Sequence, residues 1–177
     1  MHYNINCTPI RKLWSSLAAA LLVAVTWVVT FRLNSLLFTE SSHSSYINYI
    51  FLPAGVRLLS ILLFEEIAVL GLLIVTCIGI SLISAINPYI SLKCSLYLLK
   101  VDDILSNFGT NKLMLMCMIY ASLNSISHNL YFLHLNLISD LRHNLIVMFV
   151  GDFVGCLLVL YTFSFAIKLF RFVRKLQ

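Results

Sequence analysis

Charge is the scarcest property of this sequence. Only 11% of its 177 residues are Asp, Glu, Lys or Arg, whereas soluble domains carry about 25%. With 60% hydrophobic side chains and a mean hydropathy of +0.95, that shortage excludes an ordinary soluble domain. The sequence also lacks every spacing that commonly announces chemistry. There is no GxSxG, no HExxH, no Walker lysine loop and no metal-spaced Cys/His cluster. Ser125 and His128 stand three apart, but without an activating acid they do not make a nucleophile. No catalytic residue, metal or cofactor is therefore assigned, and an enzyme is not expected. The five cysteines (Cys7, Cys77, Cys94, Cys117 and Cys156) form no CxxC pair, and all but Cys7 fall in apolar stretches. They read as small hydrophobes, not as a disulfide framework.

The formal charge of +5 does not point to nucleic acid. Arg11 and Lys12 lie at one end of the apolar region, and Lys168, Arg171, Arg174 and Lys175 at the other, where membrane orientation accounts for them. Arg11-Lys12 before 13–29 also has the look of a signal peptide. Because the remainder is itself apolar, an uncleaved first span is the expectation.

What is present is a series of long apolar runs, so the expected fold is all-α: a single polytopic membrane bundle over 1–177. A polar lead, 1–12, precedes span 1 at 13–33 and a polar connector at 36–46. Span 2, 47–64, is interrupted by Pro53 and Gly55 and closed by Glu65-Glu66. Span 3, 67–86, ends at Asn87-Pro88, since proline cannot continue the hydrogen-bond ladder. The stretch 89–99 is short of the roughly 20 residues a crossing needs. It is open to a span, a re-entrant piece or an interfacial helix. A polar connector at 100–112 leads to span 5 at 113–135, span 6 at 145–167 and a basic tail at 168–177. Placing the basic ends in the cytoplasm requires an even number of crossings. Six is the expectation.

In that arrangement Arg57, His128 and Asp152 fall roughly 10–15 Å below the outer surface. An acid or base in a span costs about 2.5–3.5 kcal/mol on insertion scales, so such residues face the interior and find partners. Arg57 and Asp152 are expected to pair. Asn124, His128 and Tyr131 follow i, i+4, i+7 spacing, beside a second stripe of Ser122, Ser125 and Asn129. Pro53 and Gly55 would free backbone groups above Arg57, and Gly151 and Gly155 would let another backbone approach Asp152. Together these residues suggest an outward-facing polar pocket. A purely structural clamp between Arg57 and Asp152 explains the same residues, and both readings stay open.

Two stretches resemble the first-type membrane-associated sensory (MASE) domain of bacterial signalling proteins. One is FLPAGVRLLSILLF at 51–64, similar to that family's Pro-Ala-Gly helix start. The other is VGDFVGCLLVLY at 150–161, similar to its late Gly-Asp, Gly, apolar-run helix. By motif match Pro53, Gly55, Gly151, Asp152 and Gly155 carry over; Arg57 does not. The resemblance implies a multi-pass protein of a bacterial inner membrane that senses a signal and acts on a separate membrane or cytoplasmic signalling partner, since no output domain follows Gln177. Homo-oligomerisation is a further alternative. So is a substrate-binding membrane subunit of a small-molecule transporter, whose first helix would dock a partner through Ala20 and Ala24, or a structural or assembly protein.

Overall fold

The structure, a computed structural model, describes residues 9–38, 47–75, 80–99 and 110–175. The lead at 1–8, most of the first polar connector (39–46), Cys77, Gly79, most of the second connector (100–109) and residues 176–177 lie outside them. The described residues form six helices: α1 (Pro9–Leu37), α2 (Leu52–Phe64), α3 (Glu66–Val75), α4 (Ile80–Leu99), α5 (Thr110–His134) and α6 (Leu141–Lys175). The all-α class follows from the apolar runs, which are too long for strands and seldom interrupted by Gly or Pro.

Contacts fix the direction of each helix. Leu52 at the start of α2 meets Asn34 at the end of α1, and Arg57 meets Trp27 further back, so α1 and α2 are antiparallel. Glu65 and Glu66 reach Lys93 and Tyr89 of α4. Ser84 and Asn87 of α4 reach His128 and Asn124 of α5, while Asn124 and Asn129 reach Asp152 and Met148 of α6. Directions therefore alternate along the chain. α2 is central, packed on α1, α3, α4 and α6.

Several boundaries differ from the sequence-based expectation. Residues 47–51 are not helical; they run along α6, and α2 begins with Pro53 in its first turn. Proline is pre-organised for that position and lacks only an N–H that would be orphaned there. Pro53 therefore starts the helix and does not interrupt it. Pro88 does not end a helix either, but lies inside α4. An interior proline costs about 3 kcal/mol in an isolated helix. Here its ring is fully buried and the turn before it is tied to α5 by Ser84 and Asn87, so tertiary contacts override the local penalty. The stretch 89–99 is thus the second half of α4 and not a separate segment. The run expected as span 3 is divided between α3 and the start of α4. α2 turns into α3 at Glu65, whose φ of 44° reverses the chain.

The surface of the fold is apolar, unlike that of a soluble protein, while polar residues are set within an apolar core. Its surface presents Leu21, Leu22, Val25, Leu70, Ile126 and Phe165, among many other large apolar side chains. Its interior holds Arg57, Asp152, His128 and five buried asparagines, Asn34, Asn87, Asn124, Asn129 and Asn144. Two helical stretches, Lys12–Leu37 and Leu141–Arg174, are long and apolar enough to cross a membrane by length and composition; Leu52–Phe64 and Glu66–Val75 are apolar but shorter.

Candidate functional site

Glycine builds the frame of the site. The approach to α2 lies directly on α6. A Cβ placed on Gly151 would overlap the carbonyl oxygen of Asn48, and one on Gly155 would overlap that of Phe51. From the facing side, a Cβ on Gly55 would come within 2.6 Å of the Gly155 carbonyl oxygen. These are backbone atoms and cannot rotate aside, so only glycine permits this approach. Two hydrogen bonds secure it: Phe51 N–H donates to the Gly151 carbonyl at 3.2 Å, and Leu52 N–H donates to Asn34 Oδ1 at 2.8 Å. Asn34 thus caps α2 from a neighbouring helix, because Phe51 supplies no side-chain cap. With α2 held there, Arg57 and Asp152 enter one layer.

All four polar residues expected in that layer are buried: Asn124 at 0%, Asp152 at 1%, His128 at 3% and Arg57 at 4% exposure. In place of the outward-facing pocket expected around them, the structure has a closed cluster. Asn124 Nδ2 donates to Asp152 Oδ2 at 2.6 Å, and Asn87 Nδ2 donates to Asn124 Oδ1 at 3.4 Å. His128 Nδ1 faces the Asn124 carbonyl at 3.0 Å, and its Nε2 lies 3.2 Å from Ser84 Oγ. A carbonyl only accepts, so Nδ1 carries the proton in neutral His128, and Nε2 then accepts from the Ser84 hydroxyl. The second stripe of α5 faces α6: Ser125 Oγ donates to the Leu145 carbonyl at 2.7 Å, and Asn129 Nδ2 to Met148 Sδ at 3.4 Å. Tyr131 stands apart from the layer, packing near Phe132.

The expected Arg57–Asp152 ion pair does not form. Among the described residues the ion pair within 4 Å is Lys93–Glu65, at 3.7 Å and half-exposed. Arg57 is close enough for its charge to act on Asp152, His128 and Tyr120. Its guanidinium nevertheless lies over two rings, 5.5 Å from the centroid of Trp27 and 5.4 Å from that of Phe51. Each such contact contributes about 0.5–2 kcal/mol, but a ring face offers no lone pair to an N–H in the guanidinium plane. Arg57 Nε and Nη1 have no hydrogen-bond acceptor. The reason is positional: Asn124 reaches Asp152 first, and Trp27 and Phe51 cover the guanidinium.

Sequence reasoning missed Asn34, Trp27, Ser84 and Tyr120. Asn34 and Ser84 are polar residues inside apolar runs, which is a signal. Trp27 and Tyr120 look like ordinary membrane aromatics and give none. The structure also gives Ala20 and Ala24 a different use from docking. Both are buried, and Gly71 of α3 packs on this face, where an added Cβ would come within 2.5 Å of the Ala20 carbonyl oxygen. The small-residue face of α1 is therefore filled from within the molecule. Cys117 and Cys156 are buried free thiols, and among the described residues no group of His, Cys, Asp and Glu is placed to hold a metal. Compared with protein families, characterised proteins and solved structures, the chain finds no match.

Proposed function

We propose that this chain is a sensory-type membrane module. Its six helices cross the bilayer in alternating directions with both ends in the cytoplasm. A signal is read at the layer of Arg57, Asn124, His128 and Asp152 and passed to a separate signalling partner. The observation that carries this reading is α6. It is a single 35-residue helix without proline, about 52 Å long at 1.5 Å per residue. It carries Asp152 about a third of the way along and Lys168, Arg171, Arg174 and Lys175 on its last turns. A rearrangement at Asp152 has a rigid element through which to reach the basic end.

The apolar surface supports the membrane assignment, since a soluble protein rarely exposes apolar patches beyond a few hundred Å². α2 and α3 are too short to cross alone, but the non-helical approach to α2 is covered by α6, and irregular backbone at membrane depth is tolerated when buried in protein. The resemblance of 51–64 and 150–161 to a membrane-associated sensory domain fits the same picture, because these are the two stretches that meet through Gly55, Gly151 and Gly155. The transporter-subunit reading loses its docking face to α3.

The test is recovery of partners from native membranes in mild detergent, with mass spectrometry, for the wild type and Asp152→Asn. The proposal predicts a co-purifying kinase, cyclase, phosphodiesterase or regulator whose recovery or activity changes in Asp152→Asn. A transport ATPase with its membrane coupling subunit would overturn it, as would a regulator indifferent to Asp152.

A further inference from the structure

A groove of about 450 Å³ lies open between α2 and α6, against about 230 Å³ between α5 and α6 and about 190 Å³ between α1 and α3. The two helices that wall the largest of these run in the same direction and meet closely at Gly55 and Gly155. Farther along, Thr162 and Ala166 of α6 have small side chains, which leave room beside Leu52 and Leu59 of α2 and Leu158 and Phe163 of α6. Thr162 is the one polar residue of that lining, and its hydroxyl donates to the Leu158 carbonyl at 2.6 Å. It leaves no donor for an occupant, so the groove suits hydrocarbon.

Charge lies beyond its inner end. Phe163, Phe170 and Arg174 follow i, i+7, i+11 spacing, a single stripe of α6 that continues the groove. Arg174 is exposed. It stands about 12 Å beyond Ala166 at 1.5 Å per residue, and a long helical side chain leans back toward the preceding turn. No acid follows Asp152 in the sequence, and Glu65, at the end of α2, is directed to Lys93 of α4. The guanidinium fork matches a phosphate bidentately, and the cytoplasmic leaflet carries anionic lipid. We propose that the groove and Arg174 hold one anionic phospholipid of the inner leaflet, with an acyl chain along Leu59, Thr162 and Ala166 and the phosphate at the guanidinium. This rests on the inner-side placement of the end of α6 proposed above, and it adds a ligand that the signalling reading does not require.

The experiment uses the full chain in mild detergent, with dioleoyl phosphatidylglycerol and dioleoyl phosphatidylcholine added in equal amounts and retained lipid counted by native mass spectrometry. One phosphatidylglycerol per chain is expected, held about fivefold more tightly than phosphatidylcholine and raising the melting temperature. Ala166→Phe fills the groove from an exposed position and should abolish that retention. Arg174→Gln should remove the headgroup preference. Lys168→Gln loses the same charge from the other side of α6, two residues past Ala166, and should keep it. Soluble glycerol phosphate should not bind, since it has no chain for the groove. Equal retention of the two lipids, unchanged retention in Ala166→Phe, equal loss in Arg174→Gln and Lys168→Gln, or saturable binding of glycerol phosphate would each overturn the site. If Ala166→Phe does not fold, the Arg174→Gln and Lys168→Gln pair decides. Lipid retention is read without a signalling partner, so its failure leaves the partner-recovery test of the sensory reading untouched, and the reverse also holds.

Discussion

Gly155→Leu will leave little folded protein. A side chain there collides with the Phe51 carbonyl group, whose carbon would stand 2.5 Å from the new Cβ. Clearing it requires the approach to α2 to lift from α6. Overpacking of this kind costs about 1–3 kcal/mol. The lift would also sacrifice the Phe51–Gly151 and Leu52–Asn34 hydrogen bonds, at roughly 1 kcal/mol each. Against a typical total of about 5–15 kcal/mol, the loss is severe. Val150→Leu, one residue before Gly151 on an exposed apolar position, should remain within about 0.5 kcal/mol of the wild type. Thermal unfolding and size-exclusion profiles of both variants in detergent provide the check. A melting temperature for Gly155→Leu within a few degrees of the wild type would mean that α2 is not held where the structure has it.

The second large effect separates charge from shape at Asp152. Asp152→Leu removes the acceptor of Asn124 Nδ2 and the negative charge that balances Arg57 in the same buried layer. Leaving that buried donor unmatched costs about 1–3 kcal/mol, and the branched leucine adds about 1–3 kcal/mol of overpacking. Asp152→Asn retains an acceptor oxygen for Asn124 and nearly the same volume, so it should fold with a loss of about 1–2 kcal/mol while failing to signal. Denaturation midpoints of the two variants, measured beside partner recovery, test the distinction. Equal destabilisation would reduce the layer to a structural clamp. A stable Asp152→Leu would remove Asp152 from the account altogether.

How far the sequence disclosed this arrangement depends on the kind of signal each residue carries. The helices themselves were legible because apolar runs of this length have few other outcomes. Arg57, Asn124, His128 and Asp152 were visible because polar side chains are expensive in such runs, and the structure gathers all four. The way they pair was not legible. Helical spacing states which residues share a face, but not that Asn124 lies closer than Arg57 to Asp152. The Gly151 and Gly155 pair announced a close approach, and the partner that uses it is the approach to α2. Pro88 misled because local propensity opposes a helix there, whereas contacts from α5 and burial of its ring maintain one. Asn34 acts through a neighbour distant in sequence, which no local pattern records.

The proposed six crossings, with both ends inside, are directly open to cysteine accessibility in intact cells. In a background without the native cysteines, Ser139→Cys lies between α5 and α6, Asn111→Cys at the start of α5 and Arg174→Cys near the end of α6, all at exposed positions. A membrane-impermeant maleimide should label Ser139→Cys in intact cells, and Asn111→Cys and Arg174→Cys only after the inner face is opened. Labelling of all three from one side, or of Asn111→Cys and Arg174→Cys from outside with Ser139→Cys protected, would contradict them.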